Sequence, residues 1–418
     1  MNQIPIGNRD LIRAINLSII LNTIKTHGTI ARAEIARLTG LSPATVTGIT
    51  AELIQDGLVF EKEPGDSSGG RRPILLAINP HGGFVVGIKL MEDHALGALT
   101  DLEATLLVKH SLSLSENEPL KVAQTLGQLV AELLAQTVVS DTTFTEQAGE
   151  NPIAPAPRLM GVGVGLAGII DAGQGVVRQS PFFGWQNIPL RDLLQEQVHA
   201  PVYVDNDVNT LAFTEKWFGA GQGVNNFLVV TVGRGVGLGI VANGQFYRGA
   251  RGGAGEFGHT VVQPGGIACT CGKQGCLEAY IGDHALLSQA QQAFQRNELS
   301  HLPRTPEELV DLAEANEPAA QAIFSHAGML LGQSIANLVN IFNPERILVN
   351  GEGIRAGHWL FDPMCAAIQE HTMPGLRADV DIRIEPLGDD AWARGAASLV
   401  LHELFESPVR RQREPETV

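Results

Sequence analysis

The sequence predicts an α/β protein in which an N-terminal winged helix-turn-helix precedes a two-lobed α/β body with a structural metal loop. Three observations carry this. The first 80 residues hold eight Lys/Arg against seven Asp/Glu while the whole 418-residue chain has a net charge of −16, so a near-neutral module is attached to a strongly acidic body. A theme of three β-like runs joined by short turns starts near Phe84 and starts again near Asn226, about 140 residues later, as an internal duplication would. Three of the four cysteines fall within residues 269–276, and His259 lies ten positions before the first of them.

A chain of 418 residues is expected to form two or three domains and is ample for a sizeable core. Its 47 glycines suit backbone that turns tightly or approaches ligands. The apolar runs read as too short and interrupted to cross a bilayer, and MNQIPIGNRDLIR has no basic segment feeding an apolar stretch, so a cytoplasmic protein without a membrane partner is expected.

Taken in order, residues 8–27 read as a helix, with Leu11, Ile12, Ile15, Ile19 and Ile24 near a 3.6 period and Gly28 at its end. A short helix spans Arg32 to Leu38. Gly40, Leu41 and Ser42 then turn the chain, Ser42 caps a third helix, Pro43 suits its first position, and Val46, Ile49, Leu53 and Ile54 give it one apolar face until Gly57. This is a helix-turn-helix. Its second helix is expected to turn Ala44, Thr45, Thr47, Gly48 and Thr50 outward, small and hydroxyl-bearing residues that can enter a major groove, with Ser42 at its start. Two β-like runs, Leu58 to Lys62 and Ile74 to Ile78, flank EPGDSSGGRRP, a wing whose Gly69 and Gly70 permit close approach and whose Arg71 and Arg72 can reach phosphate or a narrow minor groove.

From Gly83 the texture becomes α/β: FVVGIKL, HALGALT and ATLLVKHSL as strands, then a helix near Leu120 to Gln136. Residues 137–158 are polar and rich in Pro and Ala, a surface loop. GVGVGLAGIID is a buried strand with a glycine-rich end, and VYVDNDVN is a strand ending at Asn206 and Asp207. The second set of strands begins at NNFLVVTV. Helices from Asp283 to Asn340, a strand in NIFNPERILVNGEG and a last helix over Ala391 to Phe405 complete the chain. The expected domains are residues 1–80, residues 81–206 with 390–407, and residues 207–389, with 408–418 a disordered tail.

The centre of the chain is residues 251–280, RGGAGEFGHTVVQPGGIACTCGKQGCLEAY. Cys269, Cys271 and Cys276 offer three thiolates, and His259 can return as a fourth ligand, the donor set of a closed tetrahedral Zn2+ site. A disulfide is the alternative, but cysteines one residue apart pair badly and a reducing compartment keeps thiols free.

Glu256-Phe257-Gly258-His259 followed by CxCGxxGCxE resembles the signature of the ROK family, which holds sugar-responsive repressors, uncharacterised frames and sugar kinases. The resemblance covers almost the whole chain, leaving out 137–158 and the tail. It implies an actin-like, sugar-kinase-like (RNase H-like) body with a cleft between its lobes, and a zinc loop that presents Glu256, His259 and Glu278 to a sugar or sugar phosphate. Carboxylates make charge-assisted hydrogen bonds to sugar hydroxyls, which agrees with that role. It also implies an operator-binding winged module, assembly as a homodimer or dimer of dimers, and SPFFGWQNIPL as a sugar-side loop with Phe183, Gly184, Trp185 and Asn187 at its edge.

In ROK kinases the aspartate of the matching NDxN motif takes the proton from the attacking sugar hydroxyl. Asn206, Asp207 and Asn209 keep that motif, so Asn206 and Asp207 are expected sugar contacts, and Asp207 is the catalytic base if the chain is a kinase. Phosphoryl transfer needs a phosphate cradle as well. The resembling kinases have a glycine-glycine-threonine turn where this chain has Gly87-Ile88-Lys89-Leu90-Met91-Glu92-Asp93, whose carboxylates oppose a triphosphate. The second turn, Gly233 to Gly239, is better kept but carries Arg234. The expectation is a repressor of carbohydrate genes that is not an enzyme; the rivals are a kinase with an added DNA module and a scaffold that binds no DNA.

Overall fold

The computed structural model describes residues 9–62, 73–139, 158–377, 380–386 and 391–405. Residues up to Thr210 together with those from Trp392 onward form one compact unit, and Leu211–Ala391 form a second.

The first unit opens with α1 (Arg9–His27), β1 (Ile30–Ala31), α2 (Arg32–Thr39), α3 (Pro43–Gln55), β2 (Val59–Lys62) and β3 (Leu75–Ile78). Each follows from a local signal. Gly40 ends α2 in the left-handed region at φ 71°, and the Ser42 hydroxyl accepts the Thr45 N–H at 3.1 Å to cap α3. The strands pair antiparallel in the order β1-β3-β2, which makes the base of a wing. Ile20, Leu21, Ile24, Ile35, Val46 and Leu53 close the core of this module.

The same unit continues with β4 (Phe84–Leu90), β5 (His94–Thr100), β6 (Leu106–Ser113), α4 (Pro119–Val139), β7 (Leu159–Leu166), β8 (Ile169–Asp171), β9 (Val176–Ser180), β10 (Trp185–Ile188), α5 (Leu190–Val198), β11 (Val202–Asn206) and α6, which starts at Asp207. The main sheet has the order β11-β7-β4-β5-β6, with β7 parallel to both β4 and β11. One face packs on α4 and α5 through Val86, Ile88, Val162, Val164, Leu126, Leu129 and Leu194. The other face receives α12 (Ala391–Phe405), the last helix of the chain. Gly87 and Gly163 are register partners on β4 and β7, and a Cβ at either would overlap α12 backbone, at the Ala393 and Ala396 carbonyls respectively. Glycine there is a requirement of close approach.

The second unit contains most of α6 (Asp207–Phe218), then β12 (Phe227–Val232), β13 (Val236–Ala242), β14 (Gln245–Phe246), α7 (Glu278–Ile281), α8 (Asp283–Gln295), α9 (Pro306–Glu314), α10 (Pro318–Phe342), β15 (Arg346–Asn350), α11 (His358–His371) and β16 (Asp381–Ile384). Its sheet has the order β14-β13-β12-β15-β16, with β15 parallel to β12 and to β16. By length and composition α10 is apolar enough to cross a membrane, contrary to the reading that every apolar run is too short. Its buried residues, among them Ile323, Phe324, Leu331, Ile335 and Val339, instead make it the core helix of this unit.

Candidate functional site

On the DNA-binding module, Ala44, Thr47 and Gly48 stand exposed on α3 and Thr45 is half-buried, as the sequence reading requires of a groove-facing surface. Thr50 is a correction. It is wholly buried, accepts Arg32 Nε at 3.0 Å and donates to the Thr47 carbonyl, so it holds α2 to α3 and faces no groove. One residue of helix phase separates the two outcomes, because Thr50 lies beside Ile49 and Val46 on the inward face. Ile12, read as part of the apolar period of α1, is exposed instead, and with Arg13 and Asn16 it lines an open groove together with Ala44, Thr45 and Gly48. Arg13 pairs with Glu52 of α3 at 2.6 Å. Gly69, Gly70, Arg71 and Arg72 lie outside the described residues, as do 140–157 and 408–418.

In the second unit a 3-10 turn (Phe257–His259) seats the GEFGH segment on β13, where a Cβ at Gly258 would lie 2.9 Å from Val236 Cβ. The chain then loops back through isolated bridges, Val261 with Cys276 and Ala268 with Gln274. This return brings His259, Cys269, Cys271 and Cys276 together with all four donor atoms within 4.8 Å of one another. Cys269 Sγ lies 3.6 Å from His259 Nδ1, and Cys271 Sγ lies 3.7 Å from Cys276 Sγ. A tetrahedral ion with metal–sulfur bonds of about 2.3 Å and a metal–nitrogen bond of about 2.0 Å has ligand edges of roughly 3.5 to 3.8 Å, so the cluster fits a metal. Burial, then the neighbouring Cys271 and Cys269 thiols, pushes the Cys276 thiol up to about 12. A cation at the centre is the group that would let it ionise.

Glu278 begins α7 and sends Oε2 to the Val236 N–H at 3.0 Å, at the glycine turn that joins β12 to β13. At the same turn Gly233 packs against the carboxylate of Glu352. This glycine turn is thus bracketed by two carboxylates of the chain, and one of its amides is already spent on Glu278. Glu256 stands at the start of the 3-10 turn that carries His259.

In the first unit Asp207 opens α6 and is buried. Its Oδ2 is ion-paired with Lys89 Nζ, and its Oδ1 accepts the Val208 N–H at 3.0 Å. Lys89 also lies over the Trp392 ring, 3.9 Å from its centroid. Neither Lys89 nor Trp392 was singled out from the sequence. The available signal was a lone lysine in the otherwise apolar strand FVVGIKL, where a buried cation needs a carboxylate partner. Asn206 is spent locally, donating to the Gly168 carbonyl at 3.0 Å and accepting the Val208 N–H at 2.8 Å. Asn209 donates to Asp205 at 2.9 Å. Trp185 of the expected sugar-side loop, which its residue type left open as core or platform, is a core residue: it is buried, stacked on Phe183 at 4.5 Å, and donates Nε1 to the Asn117 carbonyl at 2.7 Å.

A winged helix-turn-helix module joined to an α/β body with a metal-ready loop defines a regulator class. Residues 85–403 match the ROK family and residues 20–59 match a winged helix-turn-helix DNA-binding family. The chain belongs to the ROK family. It is 33% identical to a putative xylose repressor of Caldicellulosiruptor sp. (strain Rt8B.4) over 96% of this chain and 99% of that one. It is 30% identical to the DNA-binding transcriptional dual regulator NagC of Escherichia coli (strain K12), covering 95% of each. Among solved structures it is similar to a ROK family transcriptional regulator described as a homolog of the E. coli MLC protein, with a TM-score of 0.82 and 28% identity over 95% of this chain and 97% of that one.

Proposed function

We propose that this chain is a cytoplasmic, sugar-responsive transcriptional repressor without kinase activity, whose operator binding is set by a sugar or sugar phosphate. The observation that carries this reading is the ion pair between Lys89 and Asp207, which engages one oxygen of the carboxylate that would serve a kinase as catalytic base. An ion-paired carboxylate still accepts a ligand hydroxyl through its remaining lone pairs, so the contact serves recognition without requiring proton transfer. Asp207 and Glu256 accept sugar hydroxyls, the remaining ring N–H of zinc-held His259 donates to a sugar oxygen, Glu278 holds the glycine turn between β12 and β13, and Asn206 supports Asp207. Zn2+ on His259, Cys269, Cys271 and Cys276 is structural, because four protein ligands leave no open position for an activated water. Ala44, Thr45 and Thr47 of α3 face the major groove with Ser42 at the helix start, and Arg71 and Arg72 of the wing reach the backbone or minor groove. A dimer presents two such modules to half-sites about one helical turn, ~34 Å, apart.

The test is fluorescence anisotropy of the protein on the duplex upstream of its own coding region, titrated with D-xylose, D-glucose, N-acetylglucosamine and N-acetylglucosamine 6-phosphate. One sugar is expected to shift DNA affinity, Asp207→Ala to abolish that shift while sparing DNA binding, and Mg-ATP with that sugar to release no ADP. Sugar-dependent ADP release would establish the kinase instead, and failure to bind any duplex at low salt would leave a scaffold.

A further inference from the structure

α12 connects two cation-bearing contacts at its opposite ends, all within the first unit. At its first turn Trp392 lies under the Lys89 ammonium that pairs with Asp207. At its last residue Phe405 lies under Lys25 of α1, whose Nζ is 4.2 Å from the ring centroid. Thirteen residues of helix separate the rings, about 20 Å at 1.5 Å per residue. Between them the helix rests on Gly87 and Gly163 through Ala393, Ala396 and Ala397, and the Val400 side chain packs on Gly161 of β7. Contact between glycine backbone and alanine leaves no room for the helix to sink or tilt. Held in this way the helix moves as one rigid piece, so a displacement imposed at one end is carried to the other.

From this arrangement we propose that α12 carries the ligand signal from Asp207 to the DNA-binding module, with Lys89 and Trp392 as its input and Lys25 over Phe405 as its output. The proposal rests on the reading of Asp207 as a ligand contact. A hydroxyl donated to Asp207 Oδ2 competes with Lys89 for that oxygen, and an ammonium that shifts there shifts its position over Trp392. Because α12 cannot tilt, displacement at Trp392 reaches Phe405 and therefore α1. α1 in turn holds α3 through the pair between Arg13 and Glu52. Lys89, Trp392 and Lys25 are positioning residues in this scheme, and none of them need touch the ligand or the DNA.

The experiment measures DNA affinity by anisotropy with and without the sugar that shifts the wild type, and sugar affinity by calorimetry, for Lys25→Met, Lys89→Met and Lys89→Arg in the full chain. Allosteric couplings are typically about 5- to 150-fold. Lys25→Met is expected to bind sugar with wild-type affinity while its sugar-dependent change in DNA affinity falls below about 2-fold, the loss of a coupling and not of a site. Lys89→Met is expected to lose the change as well, and Lys89→Arg, which keeps the cation, to recover it. Normal sugar binding with a wild-type DNA shift in Lys25→Met would overturn the α12 route while leaving the repressor reading intact. A wild type that binds DNA but responds to none of the four sugars would remove the repressor reading itself, and this proposal with it.

Discussion

Replacing Gly163 by alanine tests the seat of α12 with a single methyl group. Glycine in a strand is ordinarily a weak choice, and alanine should gain on backbone entropy by about 0.5 to 1 kcal/mol. Here the added Cβ would overlap the carbonyl of Ala396, a backbone atom that no rotamer change can move aside. Restoring ordinary contact requires α12 to lift from the sheet, which loosens the burial of Leu399, Val400, Leu401 and Phe405. Overpacking of this kind costs about 1 to 3 kcal/mol, so the steric term exceeds the entropic gain. At roughly 2 to 4 °C per kcal/mol for a unit of this size, a net cost of up to about 2.5 kcal/mol should lower the melting transition in calorimetry by up to about 10 °C. Gly48→Ala is the matched control: it lies in α3, a Cβ there meets nothing within 4 Å, and the change should stabilise by up to about 1 kcal/mol. A Gly163→Ala variant that melts at or above the wild type would show that α12 does not rest on the strands as described.

Two further outcomes follow from the described geometry. Mass spectrometry under native conditions should find one zinc per chain; Cys276→Ser or a strong chelator should remove it and lower the melting of the second unit, and a metal-free protein of unchanged stability would refute a structural role. Burial pulls the Lys25 ammonium from its ordinary 10.5 down to about 7 against the opposing effect of Glu103. The unfolded chain therefore holds the extra proton between about pH 7 and 10.5, so this residue's penalty is full below pH 7 and is relieved as pH rises through that window. Lys25→Met should flatten that slope and stabilise the protein at pH 6 by on the order of a few kcal/mol, and urea titrations at pH 6 and 9 that show equal effects of the substitution would contradict it.

Much of the architecture was legible because its signals are local. The cap at Ser42, the stop at Gly40, the apolar period of α1 and α3, and the strands FVVGIKL and HALGALT each depend on neighbours a few residues away, and each forms where the pattern puts it. The ligand cluster was legible for the same reason, since a cysteine-rich loop returning to a nearby histidine is fixed by spacing and donor chemistry. Thr50 was misread, and Trp185 left undecided, for a complementary reason. A threonine on α3 points outward or inward according to one step of helical phase, and a tryptophan in a loop is a platform or a core residue according to what packs over it.

By itself, then, the sequence determined the winged module, the alternation of strands and helices, and the metal donor set, all written in periodicity and spacing. Only the tertiary structure decided which charges meet. Lys89 and Asp207 are 118 residues apart, Glu278 and Val236 are 42 apart, and Gly163 receives a helix more than two hundred residues later. Such contacts depend on which strands become neighbours and how closely a helix can approach them, and those are properties of the packed sheet that no window of the chain contains.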